Sequence, residues 1–274
     1  MESFKSNRVL LAGICLVVFF CLLAVLAQVI APHDPYRIDL PNKLAMPDAF
    51  YPLGTDILGR CVLSRLVYGA QTTLLGSSFI VLSISALGLL LGIVAGYNNA
   101  WTGRLLSVVM DIFLAIPELV WMLAIVGLWG VDFSNLLLAL VLSHWAVYAR
   151  VTRNMVWEIS RQNYVLAAKT LNTSRLKILT RHLMPNIFPR LLVLITLDMG
   201  KFILAIAGFS FLGLGVQPPL AEWGAMLSEG KGFIEDNPQL IMAPGFCIVA
   251  LVTGFTLVGE GLRDCLDPRQ WQGK

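Results

Sequence analysis

The sequence predicts an all-α membrane protein with six transmembrane helices. Hydrophobic residues make up 57% of its 274 residues and charged residues only 14%, whereas charged residues are about a quarter of a typical soluble domain. The mean hydropathy is +0.75. The chain is long enough for six apolar runs of roughly 20 residues, the length that crosses a bilayer as a helix, together with the loops between them.

The predicted spans follow the apolar runs in order, at residues 9–31, 72–97, 105–128, 136–148, 188–212 and 239–259. A cleaved signal peptide is the alternative for the first run. That run is longer than a usual signal core and lacks a clean small-residue cleavage site, so we expect an uncleaved helix. The chain is accordingly divided into three parts. The first helix and its external loop occupy residues 1–71, and a core of five helices occupies residues 72–262 and contains the polar loop at 155–187. A cytosolic tail follows at residues 263–274.

Charge in the loops predicts their sidedness. Between residues 150 and 190, eight Lys and Arg residues stand against a single Glu, whereas the loop at 216–238 carries four acidic residues and one Lys. Positive charge in short loops marks the cytosolic side, so both termini are expected in the cytosol. The alternative is that the basic loop only lies on anionic headgroups, where each Lys or Arg contributes roughly 1 kcal/mol.

The first external loop, residues 32–71, begins with an extended segment that contains five prolines. An interfacial helix is predicted after it at residues 57–68, with Asp56 as its N-cap. In the second span, Gly88, Gly92 and Gly96 recur every four residues, a pattern that lets membrane helices approach closely. We expect these glycines to serve packing within the chain rather than a subunit interface.

Ionisable residues inside the spans are candidate pathway or core polar residues, because burying a charge in lipid is costly. They are Asp111, Glu118, His144 and Asp198. Glu118 follows Pro117, which is expected to kink the third span, and it is predicted equally as a pathway residue or a packing partner. His144 is expected to be a hydrogen-bonded packing residue. Asp198 is expected to pair with Lys201, three residues further along the helix.

The basic loop is predicted to fold as helix–turn–helix. Its first helix has an apolar face formed by Val156, Ile159, Tyr164, Ala167, Ala168 and Leu171. Asn172 tolerates the left-handed conformation that ends helices, and Thr173 or Ser174 can cap a second helix. That second helix is expected at residues 175–184, ending at Pro185.

The sequence contains no motif for an enzyme. There is no G-x-x-x-x-G-K-[ST] phosphate-binding loop, no H-E-x-x-H pair and no nucleophile–base pair. The five cysteines are scattered without a C-x-x-C pair, so neither a disulfide nor a metal site is expected. The chain is therefore not expected to bind ATP through such a loop.

Four stretches carry a family resemblance. YVLAAKTLNTS followed by RHLMPN, within residues 164–186, resembles the EAA loop of membrane subunits of ABC importers in the dipeptide/oligopeptide/nickel permease family. PLGTDILGRCVLSR, FSFLGLGVQPPLAEWG and GEGLRDCLDPR resemble three further motifs of that family, so the resemblance covers nearly the whole chain. The chain departs from the usual Asp, Glu, Gly and Glu of the family at Cys61, Leu166, Asn172 and Ile206.

The resemblance implies a type I ABC importer permease fold with a cytosolic coupling helix, in a bacterial cytoplasmic (inner) membrane. The residues implied in coupling to the ATPase are Tyr164, Ala167, Ala168, Leu171, Asn172, Ser174 and Pro185. The implied partners are a homologous permease subunit in a heterodimer, two ATP-binding subunits, an extracytoplasmic substrate-binding protein and membrane lipid, but no nucleic acid. ATP and Mg²⁺ would be bound by the ATPase subunits, so this chain is expected to hold no cofactor.

The substrate is predicted from features that resemble the nickel and metallophore branch of the family more than its peptide branch. LSHWAVYAR at 142–150, together with the missing glutamates at Leu166 and Ile206, favours chelated nickel or a metal–metallophore complex. Dipeptides or oligopeptides are the alternative. A more distant alternative is an ATPase-independent secondary transporter that uses the intramembrane carboxylates and His144 as ion sites, but the halves of the sequence show no inverted repeat.

Overall fold

The computed structural model of the chain describes residues 2–97 and 101–266, with side chains from residue 8 onward. Within these ranges the protein is helical and forms no strand. Its helices are Glu2–Val25 (α1), Ala27–Ile30 (α2), Val62–Tyr97 (α3), Trp101–Ala115 (α4), Glu118–Trp129 (α5), Phe133–Ser160 (α6), Asn163–Thr170 (α7), Arg175–Ile178 (α8), Met184–Phe211 (α9), Trp223–Gly230 (α10) and Gln239–Leu266 (α11).

Five helical stretches among the described residues are long and apolar enough to cross a membrane, and α4 with α5 makes a sixth if that bent pair is one span. The prediction of six spans is thus confirmed by length and composition. Residues 98–100, between the second and third predicted spans, and residues 267–274, most of the predicted tail at 263–274, lie outside the described residues.

The glycine stripe of α3 packs against α6. A Cβ atom added at Gly88 would overlap Cβ of Tyr148, and one added at Gly92 would lie 2.6 Å from the carbonyl oxygen of Ala149. At Gly96 the same atom would lie 2.8 Å from the carbonyl oxygen of Arg153. The predicted packing within the chain is confirmed. It places the C-terminal end of α3 beside the C-terminal end of α6. We call this the basic end of the bundle, because the basic segment at residues 150–190 includes the end of α6.

The other end of the bundle is closed by α10. Glu222 caps this helix by accepting hydrogen bonds of 2.9 Å from the backbone N–H groups of Gly224 and Ala225. Trp223 is fully buried, and its indole N–H donates to the carbonyl oxygen of Leu66 at 2.9 Å. A Cβ atom on Gly69 would lie 2.7 Å from the indole ring, so α10 is seated closely on the first turns of α3.

The separate interfacial helix predicted at 57–68 is wrong. α3 is one continuous helix of 36 residues from Val62 to Tyr97, because no proline separates the two predicted parts and the single glycine between them, Gly69, is tolerated in a helix. Asp56 does not cap it. Its carboxylate accepts from the backbone N–H groups of Leu58 and Arg60, at 2.8 and 3.0 Å, and thereby closes the turn that precedes α3.

The third predicted span is broken rather than kinked. α4 and α5 meet at an angle of 85° across Ile116 and Pro117. Pro117 has extended backbone angles (φ −59°, ψ 143°) at the position that precedes α5, and it lacks the N–H that would continue the hydrogen bonding of α4. The break makes Glu118 the first residue of a new helix.

Candidate functional site

The basic end carries a short helix, α7, between two long ones. The predicted continuous apolar face from Val156 to Leu171 is wrong, because α6 ends at Ser160 and the chain turns at Arg161 and Gln162 before α7 begins. Val156 and Ile159 are buried inside the bundle as part of α6. The residues of α7 therefore form a surface of their own.

One buried side chain fixes α7 to the bundle. Val165 is fully buried against the main core, and Ala168 packs partly against the same core. The ammonium of Lys169 lies 5.8 Å from the centre of the Tyr97 ring at the end of α3. Sequence reasoning missed Val165, because its neighbours Tyr164 and Leu166 are hydrophobic as well and hydropathy does not single it out.

The opposite side of α7 is exposed and apolar. Tyr164, Ala167 and Leu171 recur at the spacing of one helix face. Tyr164 is 47% exposed and Leu171 is 81% exposed, and Leu176 of α8 is 70% exposed. Ala167 is exposed with them, whereas Ala168 is half-buried. The seven predicted coupling residues thus lie on one segment, but only part of them shares the outer face.

The turn after α7 is formed as predicted. Asn172 adopts a left-handed conformation with φ of +53°, and the hydroxyl of Ser174 caps α8 by accepting from the N–H of Lys177 at 3.4 Å. The predicted end at Pro185 is wrong. α8 continues through a π-helical turn at Leu179–Leu183 into α9, and Pro185 lies in the first turn of α9.

Inside the bundle, the predicted pair of Asp198 with Lys201 is not formed. Asp198 instead accepts a hydrogen bond of 2.8 Å from the hydroxyl of Tyr148, which is itself buried. Asp111 pairs with Arg150 of α6, both of them substantially exposed. Sequence spacing along α9 did not predict these partners, because they come from other helices.

His144 is buried and hydrogen-bonded, as predicted. Its Nδ1 lies 2.8 Å from the Ser143 hydroxyl, and its ring meets Phe202 edge-on with centroids 4.9 Å apart. On the other side of the ring, Nε2 lies 3.6 Å from a carboxylate oxygen of Glu118. The break at Pro117 is what brings this carboxylate to the imidazole.

A buried ionic network lies at the end of the bundle opposite α7. Asp56 binds the guanidinium groups of Arg60 and Arg65 at 2.6 and 2.8 Å, and Glu229 of α10 binds the same two groups at 2.7 and 3.1 Å. Both arginine side chains are 1% exposed. Burial raises the pKa of Glu229, although the charge of Arg60 opposes the shift. The sequence analysis did not pair these residues, because they belong to two separate loops.

No group of three or more His, Cys, Asp or Glu side chains that could hold a metal ion occurs within the described part of the chain.

The two ends of the bundle differ in the side chains that they present. One presents an apolar face beside basic side chains, and the other is tied together by buried ion pairs.

Comparison with known proteins identifies the family. Residues 88–272 match the family of the binding-protein-dependent transport system inner membrane component, and residues 1–47 match the N-terminal transmembrane domain of oligopeptide transport permease C. The nickel transport system permease protein NikC of Escherichia coli is 38% identical over 98% of this chain and 97% of its own length.

Peptide transport proteins are similarly related. The dipeptide transport system permease protein DppC of Alkalihalophilus pseudofirmus is 35% identical over 98% of this chain and 88% of its own length. The probable D,D-dipeptide transport system permease protein DdpC of Escherichia coli is 34% identical over 97% of this chain and 89% of its own length.

A solved structure of the MetNI methionine ABC transporter, in an inward-facing conformation, shares the fold. It superposes on 75% of this chain and 98% of its own with a TM-score of 0.63, at 19% identity. The fold is therefore that of a type I ABC importer permease, as the resemblance implied. Members of the family work with other permease, ATPase and binding-protein subunits, and separate ATPase subunits hydrolyse the ATP. The chain belongs to the binding-protein-dependent transport system inner membrane components, and it is a multi-pass, inner-membrane permease subunit of an ABC importer.

Proposed function

We propose that this chain forms half of the translocation pathway of an importer for chelated nickel or a metal–metallophore complex, and that α7 is its coupling helix. In this proposal the basic end lies in the cytosol, with both termini on the same side. A homologous permease subunit completes the pathway, two ATP-binding subunits hold ATP and Mg²⁺, and an external binding protein delivers the cargo. Dipeptides or oligopeptides are the alternative cargo.

The observation that carries the coupling role is the exposed apolar face of α7. Leu171 is 81% exposed and Leu176 is 70% exposed, although both lie on a basic segment between long apolar helices. Burying a leucine side chain contributes roughly 1.5–3 kcal/mol, so such a face favours a protein partner. Clustered exposed apolar residues that are rimmed by polar ones are typical of protein interaction sites.

The anchoring of α7 explains how a docked partner would move the bundle. Val165 fixes α7 to the core, and Ile178, which is 1% exposed, fixes α8. When ATP binding draws the two ATPase subunits together, the force on α7 would pass through these two side chains to α6 and α9. Ala167 has no side chain beyond Cβ, so the partner can approach the helix closely there.

The substrate proposal rests on sequence features and on the names of relatives. The sequence LSHWAVYAR and the absence of glutamate at Leu166 and Ile206 favour the nickel branch. NikC of Escherichia coli is 38% identical and the two dipeptide relatives are 35% and 34% identical. Uptake measurements with both kinds of cargo decide between the two.

A glutamate scan of α7 tests the docking role. Ala167→Glu adds a charge to the centre of the exposed face, so we expect ATP-dependent uptake to fall to background while the protein still inserts in the membrane. Ala167 is exposed, so the substitution leaves the bundle intact. The measurement is uptake in cells that express the complete importer, with membrane levels read from immunoblots.

Leu166→Glu is the matched control. It places the same charge one residue away and about 100° around the helix, at a position that is 45% exposed but lies beside the docking face. We expect uptake to be retained. Equal loss in both variants, or unchanged uptake in Ala167→Glu, would contradict docking through this face, and uptake by this chain in liposomes without ATPase subunits would favour a secondary transporter.

A further inference from the structure

Lys201 is a charged residue on an open face deep in the membrane-spanning part of α9. It lies ten residues before Phe211, which is about 15 Å from that end of the helix at 1.5 Å per residue. Its side chain is exposed in the single chain, and Leu204, at the next position on the same face, is 52% exposed. A lysine at this depth is costly if it faces lipid.

No carboxylate lies within ion-pair distance of Lys201 among the described residues. The neighbour that the helix spacing offers, Asp198, is held by Tyr148 at 2.8 Å. The ammonium instead lies 5.6 Å from the centre of the Phe202 ring. The charge is therefore left available on the open face.

Two further polar groups come close to the same place from other helices. The Glu118 side chain is 33% exposed, and one of its oxygens lies 3.6 Å from Nε2 of His144. The centre of the Phe202 ring lies 4.9 Å from the centre of the imidazole and 5.6 Å from the ammonium of Lys201. The first turn of α5, the middle of α6 and the middle of α9 thus contribute one ammonium, one carboxylate and one imidazole.

We propose that Lys201 lines the translocation pathway and binds a carboxylate group of the passing cargo. An ammonium with no carboxylate within ion-pair distance can take a carboxylate of the cargo as its partner, and charge-assisted contacts of this kind are among the stronger ones. The inference rests on the proposed function, since it requires that this chain form the wall of an import pathway.

Two kinds of cargo carry the required group. A chelate in which carboxylates ligate nickel presents carboxylate oxygens at its surface, and a peptide presents its terminal carboxylate. The shared chemistry is a carboxylate group, which matches an ammonium that has no carboxylate within ion-pair distance in the described part of this chain.

The test measures uptake by the complete importer in proteoliposomes, with the nickel–histidine chelate and dialanine as the two probes. For whichever probe the wild type imports, Lys201→Met is expected to lower the maximal rate about tenfold or more while leaving KM unchanged, because the binding protein sets capture and Lys201 acts only in the pathway. Lys201→Arg keeps the charge and is expected to restore most of the rate. Lys231→Met, the same change at an exposed lysine outside the spans, is the control.

Each other outcome overturns the inference. An unchanged rate in Lys201→Met would show that the lysine is not used, and import of neither probe by the wild type would show that the cargo class is wrong. Loss of the partner permease subunit on purification of Lys201→Met would show that the lysine pairs across the subunit interface instead. Failure of the proposed function gives a separate signal, which is wild-type uptake that does not depend on ATP.

Discussion

Arg60 and Arg65 illustrate how single residues hold the end of the bundle opposite α7. Both guanidinium groups lie between the carboxylates of Asp56 and Glu229, and one network thereby connects the loop before α3 to α10. Breaking a buried ion pair by removing one partner is strongly destabilising, because the other charge is left without compensation. The network is therefore a better target for mutation than the exposed charges of the same loop.

At this scale we predict that Arg65→Met lowers the free energy of unfolding by about 3–5 kcal/mol, the cost typical of a broken buried pair. Arg37→Met in the same loop is the control, because Arg37 is exposed and surface substitutions usually change stability by less than about 0.5 kcal/mol. The measurement is denaturant unfolding of the purified chain in detergent. Equal stability of the two variants would mean that the network contributes no more than surface charge.

At the scale of helices, the close contact of α3 with α6 depends on glycine. The glycine stripe allows the two backbones to approach where any side chain would collide. This contact fixes the position of α6, and α7 follows α6 directly after a short turn. Packing of this kind is needed in lipid, where no hydrophobic driving force brings helices together. The coupling segment is thus supported from within the bundle.

Alanine at two glycines tests this packing. Gly92→Ala would place a methyl group 2.6 Å from the Ala149 carbonyl oxygen, and overpacking of this kind costs typically about 1–3 kcal/mol. Gly127→Ala in α5 meets nothing within 4 Å, so it is expected to be neutral or to stabilise the helix by up to about 1 kcal/mol. The measurement that compares the stability of the two variants is thermal unfolding in detergent. Destabilisation by Gly127→Ala equal to that by Gly92→Ala would show that the effect is not steric.

At the scale of the whole molecule, the sequence predicted what depends on local pattern. The number of spans, the glycine packing, the left-handed Asn172 and the cap at Ser174 follow from hydropathy, spacing and the conformations that each residue type allows. Helix ends were less predictable, since Pro185 is equally compatible with stopping one helix and starting another. The sequence indicated that Pro117 would disturb the third span, but not that the angle would reach 85°.

Contacts between distant elements could not be predicted from the sequence alone. Asp198 had a plausible partner three residues away, yet it bonds to Tyr148, fifty positions distant. The ion network joins residues more than 160 positions apart, and the role of Val165 as an anchor depends on how α7 turns against the core. Asp198 and Glu118 are residues of this kind, since their partners come from other helices.

The central claim, that α7 is the docking element for an ATPase subunit, is tested most directly by a photocrosslinking amino acid placed at Leu171 in membranes that contain the complete importer. The side chain is 81% exposed on the proposed docking face, so we predict a covalent adduct with the ATP-hydrolysing subunit that is identifiable by mass spectrometry. The same group at Val29, which is 83% exposed in α2, is predicted to give no such adduct. An ATPase adduct at Val29, or none at Leu171, would contradict the account.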